Sequence, residues 1–253
     1  MLPEGQCDHF DVVLVAPRNP LNIGAAARAM ANFGFARLTV VAPFAAHWRE
    51  ARSAVGAPEL LQNAKETATL AGAVAGCTLV LGTGTLTSRK AEQGVVSLPE
   101  LAPVVAAELA RGGHVALVFG PEKHGLTRDD LSFCHLLVEI PTDTRQRSMN
   151  LGQAVAVCLY EIATQRTGGA EANADNRPRG VESGELDRLA ALIEETMTAA
   201  GYAPRAMQPA HRHDLRLLLR RLSWNAKDTR RALGLFRRVL WRLAHPGASA
   251  RPE

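Results

Sequence analysis

Through the first two-thirds of the chain, hydrophobic positions follow two alternating rhythms. Five short runs, DVVLVA (11–16), RLTVVA (37–42), TLVLG (78–82), HVALVF (114–119) and LLVEI (136–140), are almost unbroken in Val and Leu. Runs of that kind suit strands covered on both faces, because a half-exposed strand would alternate apolar with polar residues. Between them, residues 22–33, 64–75, 99–111, 126–133 and 149–166 carry helical spacing or caps. Strand–helix alternation predicts an α/β fold, a mostly parallel sheet with helices on both faces.

Local chemistry marks several boundaries. Thr127 and Asp130 have capping-box spacing, with Leu126 and Leu131 at the staple positions. Gly34 follows the 22–33 helix where a left-handed residue is wanted, and Ser148 or Asn150 can cap the 149–166 helix. From Thr167 to Gly184 the pattern dissolves into Gly, Asn, Pro and charge, which reads as a linker. Beyond it lie helical patterns and no strand. Leu186, Leu189, Ile193 and Met197 share one face; Leu233, Phe236, Leu240 and Leu243 form a later seam. The expected organisation is a 1–166 domain, a 167–184 linker and a small all-helical extension over 185–253.

Composition adds three constraints. Hydrophobic residues make up 47% of the 253 and charged residues 21%, which excludes disorder across the whole chain. No apolar run approaches membrane-spanning length, and the opening MLPEGQCDHF resembles no signal peptide, so a cytoplasmic protein without membrane contact is expected. Cys7, Cys77, Cys134 and Cys158 are widely spaced and the histidines scattered, which argues against a metal site or a disulfide framework. The net charge of +4 is unevenly spread: residues 205–245 hold eleven Lys or Arg against Asp214 and Asp228. Such a segment suggests a nucleic-acid partner.

Ligands of parallel sheets bind beyond the carboxyl ends of the strands. Four loops fall there: PRNPLNIG (17–24), GTGT (82–85), GPEKHGLT (120–127) and PTDTRQR (141–147) running into SMNLG. Their glycines permit close backbone approach, and Asn22, Arg28, Glu122, Ser148 and Asn150 supply polar side chains. Each has a plain alternative as cap, turn acid or salt-bridge partner. Phosphate-loop, dinucleotide, nucleophile-elbow and zinc-helix motifs are absent.

Taken together, VAPRNPLNIGAAARAMANFG (15–34), LVFGPEKHGLT (117–127) and IPTDTRQRSMNLGQAVAV (140–157) resemble the three motifs of the SPOUT-class RNA methyltransferases of the TrmH/SpoU branch. The tail, GELDRLAALIEETMTAAGY (184–202) and LRLLLRRLSWNAKDTRRALGLFRRVLWRL (215–243), looks like the extension of TrmJ-type tRNA ribose methyltransferases. The resemblance implies a C-terminal trefoil knot, a homodimer with residues of both chains at each site, and no metal. It implies methyl transfer from S-adenosylmethionine to a ribose 2′-hydroxyl of tRNA, at the pyrimidine in position 32 of the anticodon loop. Two alternatives stay open: rRNA as the substrate, or a non-catalytic RNA-binding protein of the same fold.

Carried onto this chain, Thr83, Gly84, Thr85, Gly120, Ile140, Arg147, Ser148 and Met149 line the methyl-donor site, with backbone at Ile140 and Met149 reading adenine. Asn22, Arg28, Glu122, Ser148 and Asn150 match the family's polar active-site positions. The family proposal makes the motif-one arginine, Arg28 here, a general base. A guanidinium surrenders its proton only at great cost, so a clamp on the neighbouring phosphate is the better reading.

Overall fold

The computed structural model describes residues 6–84, 92–164, 179–202, 208–222 and 224–246. Seven strands make one sheet: β1 (Phe10–Val15), β2 (Arg37–Val41), β3 (Lys65–Thr67), β4 (Leu79–Thr83), β5 (Gly94–Ser97), β6 (Val115–Phe119) and β7 (Leu136–Glu139), in the order β3-β2-β1-β6-β4-β7-β5. Every pairing is parallel. All carboxyl ends therefore open on one side, where the four loops gather.

The unbroken hydrophobic runs follow from burial on both faces. Val12 and Leu14 of β1 face one core with Leu38, Leu117, Phe119 and the helices α1 (Pro20–Asn32), α4 (Leu98–Ala110) and α6 (Leu151–Thr164). Val13 and Val15 face the other, with Val80, Val118, Leu137, the helix α3 (Leu70–Val74) and the segment after α5 (Arg128–Leu131). A sixth helix of this part, α2 (Pro58–Asn63), flanks the β2 side. Helix α1 packs extensively on α6 because small residues meet there: a Cβ on Gly152 would lie 2.7 Å from the Cβ of Ala25.

The edges differ from the sequence-based expectation. Residues 64–75 do not form one helix: Lys65–Thr67 is a strand on β2, and only Leu70–Val74 is helical, capped by the Thr69 side chain. Strand β5 carries no strong run of its own either. Both are three or four residues long, and pairing with an exposed edge decides their state rather than their own periodicity. The 126–133 helix shrinks to Arg128–Leu131, and Pro58–Asn63 is a helix the pattern does not mark, but the capping signals hold. Thr127 and Asp130 form a capping box, Gly34 has φ +80°, and Asn150 caps α6.

Three helices follow the 179–182 segment: α7 (Ser183–Ala199), α8 (Gln208–Arg221) and α9 (Ala226–Ala244). Most of the expected linker lies outside the described residues. Ser183 and Gly184 donate backbone N–H groups to the carbonyls of Cys77 and Ala75, each at 2.9 Å, so α7 starts against the sheet domain. Leu189, Ala190, Leu219, Ile193, Leu233 and Phe236 form a separate small core among the three helices. Leu243, expected in that seam, is exposed instead.

His135, just before β7, is half-buried, and its Nδ1 accepts the Val80 N–H at 3.0 Å. Burial first, and the nearby Arg220 cation second, pull its pKa down to about 3. The unfolded chain therefore takes up a proton near pH 6.5 that the folded chain refuses, and stability falls as pH drops from there towards 3. His135→Asn keeps an acceptor without the titration. Thermal unfolding between pH 7 and 5 is expected to show the variant losing less stability than wild type, by up to about 1.4 kcal/mol per pH unit. Parallel curves would contradict this.

Candidate active site

The loop after β1 leaves the sheet through Ala16, whose φ of +44° is a left-handed conformation that costs a non-glycine residue about 1–2 kcal/mol. Its N–H still donates to the Val41 carbonyl at 2.8 Å, so the turn is sharp and fixed. Asn19 then caps α1, with Pro20 at the first helical position. The loop after β6 closes on itself: Gly125 has φ +64°, and its N–H reaches the Pro121 carbonyl at 2.9 Å. A side chain on Gly120 would collide with the backbone of Gly125 and Leu126.

These loops meet through Glu122. Its carboxylate accepts the backbone N–H groups of Arg18 and Asn19, both at 3.1 Å, and the Asn22 side-chain amide at 2.9 Å. Asn22 Oδ1 accepts from Asn150 Nδ2 at 2.9 Å, and Asn150 Oδ1 accepts the Gly152 N–H at 2.9 Å. The chain has a forced direction. Glu122 can only accept and the helix N–H can only donate, so both asparagine amides have one permitted orientation. Asn150 is thus helix cap and site residue at once. Partial burial pushes the Glu122 carboxyl up, but the Asn22 amide and the backbone donors outweigh it and hold the group below the usual carboxylate range. Glu122 is held as an anion whose lone pairs are already engaged, which suits positioning better than taking a proton.

Beside this chain lies a cavity of about 300 Å³. Thr83, Gly84, Gly120, Ile140, Arg147, Ser148 and Met149, seven of the eight expected donor-site residues, line it; Thr85 lies outside the described residues. Glu122 lines it too. Leu126, Leu131, Leu137 and Leu151 add apolar wall, and Lys123, His124 and Thr142 add polarity. Of these, the sequence pattern marks only Leu126 and Leu131, as staple residues; Lys123 and His124 sit unmarked inside the second motif. A cavity whose lining combines apolar side chains, glycine backbone and charged groups fits a nucleoside carrying a charged tail.

Arg28 stands apart. It is exposed on α1, outside the cavity lining, and makes no hydrogen bond or ion pair among the described residues. Ser148 is exposed at the cavity, its Oγ 3.4 Å from the Gln146 amide nitrogen. Burial pushes the thiols of Cys77, Cys134 and Cys158 up to about 12, leaving none of the three a ready nucleophile. Among the described residues, two groups have ligand atoms close enough to share an ion, Asp11/Cys77/His114 and Glu92/His213/Asp214, and neither lines the cavity. Asp11 is already paired with Arg37 at 2.8 Å, at the amino ends of the strands.

The basic tail is divided. Arg216 and Arg220 turn inward to Asp129 and Asp187 at 2.9 and 2.8 Å and do not join an outer surface, whereas Arg212, paired with Glu194 at 2.8 Å, stays exposed. Arg221, Lys227, Arg230, Arg231, Arg237, Arg238 and Arg242 remain exposed. Arg205 lies outside the described residues.

Residues 9–160 match the model of the SpoU rRNA Methylase family. A tRNA (cytidine/uridine-2′-O-)-methyltransferase TrmJ from Pectobacterium atrosepticum is 32% identical over 243 residues, covering 92% of this chain and 95% of that protein. A tRNA (cytidine/uridine/adenosine-2′-O-)-methyltransferase TrmJ from Pseudomonas aeruginosa is 33% identical, covering 92% and 93%. Among solved structures, TrmJ from Z. mobilis ZM4 superposes with a TM-score of 0.79 at 31% identity, covering 90% of this chain and 98% of that one.

Glu122→Gln removes one acceptor oxygen and turns an N–H towards other N–H groups. Hydrogen exchange at the Arg18 and Asn19 amides is expected to speed up about tenfold or more, the equivalent of one lost charged hydrogen bond. Unchanged exchange would mean that Glu122 does not hold the first loop.

Proposed function

The chain belongs to the SpoU rRNA methylase family, and on that premise we propose that it is a tRNA 2′-O-methyltransferase with S-adenosylmethionine as methyl donor. The observation that carries this reading is the meeting of the strand-end loops, with second and third motifs walling one cavity and a single hydrogen-bond chain tying both to the first. The family model stops at residue 160, whereas the TrmJ relatives run over 92% of the chain and so into the tail. That difference favours tRNA over rRNA. The nucleotide is the pyrimidine at position 32. The enzyme works in the cytoplasm, where tRNA is modified; no helix among the described residues is long and apolar enough to cross a membrane.

When bound in the cavity, the donor supplies a methyl group on a cationic sulfur, reactive enough to need no metal. The chain's own work is positioning and charge control. Ile140 and Met149 hold the adenine, and Thr83, Gly84, Gly120 and Arg147 enclose the remainder. The Glu122–Asn22–Asn150 chain fixes the wall against which the ribose is set, so that hydroxyl and methyl carbon approach in line. Ser148 offers a hydroxyl at that wall. Arg28, a guanidinium without a partner among the described residues, clamps the adjoining phosphate and electrostatically favours loss of the hydroxyl proton to solvent water as the oxygen takes the methyl group.

Two larger features complete the reading. Strand β7 sits between β4 and β5 in the sheet, an order that accords with the trefoil knot the family resemblance implies. Two copies form a homodimer through α1 and α6, where Leu21 and Tyr160 are exposed, and Arg28 of one copy serves the cavity of its partner. The exposed arginines of the tail hold the tRNA backbone.

Labelled methyl transfer to bulk tRNA and bulk rRNA tests the assignment. Ribose-methyl label in tRNA, at least about a hundredfold lower with Arg28→Ala as for loss of one transition-state electrostatic contact, is the expected result. Label in rRNA alone would overturn the substrate. A second outcome concerns the tail: Arg237→Ala/Arg238→Ala is expected to weaken tRNA binding and to lower the log–log salt slope by about 0.7–0.9 per phosphate contact removed. An unchanged slope would remove this helix from the docking surface.

A further inference from the structure

One face of α8 carries His213, Arg216 and Arg220, spaced three and four residues apart; the two arginines reach a single stretch of the sheet domain, residues 129–133, while His213 faces Glu92. Arg216 Nη1 lies 2.9 Å from Asp129 Oδ1 and 3.4 Å from Ser132 Oγ, and its guanidinium sits 4.1 Å from the centroid of the Phe133 ring. Arg220 donates Nε–H to the Phe133 carbonyl at 3.0 Å and pairs through Nη2 with Asp187 of α7 at 2.8 Å. Its side chain is wholly enclosed, and the same Phe133 ring lies 5.5 Å from it. The buried His213 places Nε2 3.6 Å from a carboxylate oxygen of Glu92.

The stretch so gripped is the back of the cavity wall. Leu126 and Leu131 line the cavity and bracket α5, a helix of four residues. A single turn has no stability of its own and keeps its place only through capping and tertiary contacts. Its amino end is capped by Thr127. Its carboxyl end is held by Gln93, whose Nε2 donates to the Leu131 carbonyl at 2.6 Å, and by the two arginines from α8.

We infer that Arg216 and Arg220 of α8 are positioning residues for the methyl-donor pocket, clamping the 129–133 segment so that Leu126 and Leu131 keep the wall closed. The inference rests on the reading of the cavity as the donor site. It gives the tail two separable roles: an inner arginine face that shapes the donor pocket and an outer one that meets RNA. Arginine suits the inner role, since a flat guanidinium can cover an aromatic ring and donate in its own plane at once, which a lysine ammonium cannot.

The test compares full-length wild type with Arg216→Ala, Arg216→Lys and Phe133→Leu. Calorimetric titration with S-adenosylhomocysteine is run well below each variant's unfolding temperature, beside KM values for donor and for tRNA. Arg216 is chosen because removing the enclosed Arg220 would leave Asp187 without its partner. Arg216→Ala is expected to weaken ligand binding and raise the donor KM by about 3- to 30-fold, the equivalent of a cation–π contact and a hydrogen bond, with the tRNA KM within about twofold. Arg216→Lys and Phe133→Leu fall between, and either suffices if the alanine variant does not fold. Arg242→Ala, on the outer face, gives the reverse profile. A lowered unfolding temperature with unchanged ligand affinity would make the contact merely structural and overturn the inference, as would a change confined to the tRNA KM. Absence of binding by the wild type would overturn the donor-site reading and this inference with it.

Discussion

Glu122 is a carboxylate that accepts from two backbone N–H groups of one loop and a side-chain amide of the helix behind it, and the geometry of the site depends on those three bonds. Because the group accepts and never donates, it dictates the orientation of Asn22, then of Asn150, and ends at the first turn of α6. Three segments far apart in sequence are thereby locked into one arrangement. The lowered pKa of Glu122 keeps the lock in force: its contribution is present above the ordinary carboxylate range and is lost as pH falls through the lowered value.

The fold supplies the conditions for that lock. A fully parallel sheet sends every carboxyl end to one side, so loops from β1, β4, β6 and β7 are neighbours without any special device. Small residues let α1 and α6 approach closely; Gly152 against Ala25 brings the helix starts near enough for Asn22 and Asn150 to bond directly. A larger residue at either position would separate the asparagines while leaving the hydrophobic core largely intact. Core packing and site geometry are thus set by different residues of the same two helices.

Much of this was readable from residue order. The five central strands announce themselves because burial on both faces demands unbroken Val and Leu, and the polar residues of the three motifs fall where parallel strands end. The edge strands β3 and β5 did not, since Lys65–Thr67 becomes a strand only by pairing with β2. Nor could periodicity foretell the pairing of Arg212, Arg216 and Arg220 with acids of the fold: a helix wheel separates polar from apolar faces but does not say which polar face meets a folded neighbour. Asp129, Asp187 and Glu194 supply the reason, and they are distant in sequence or lie on another helix. Arg28 was readable as a site candidate, yet its cavity contacts are absent within one chain, and a partner copy supplies the missing geometry in the reading proposed above.

A crystal structure of the protein with S-adenosylhomocysteine tests the central claim most directly, that strand-end loops locked through Glu122 form the donor pocket. The account expects the ligand in the cavity of about 300 Å³, its adenine between Ile140 and Met149, its sulfur facing the Glu122–Asn22–Asn150 chain. Density elsewhere on the molecule, or a ligand in the cavity with that chain broken, would contradict it.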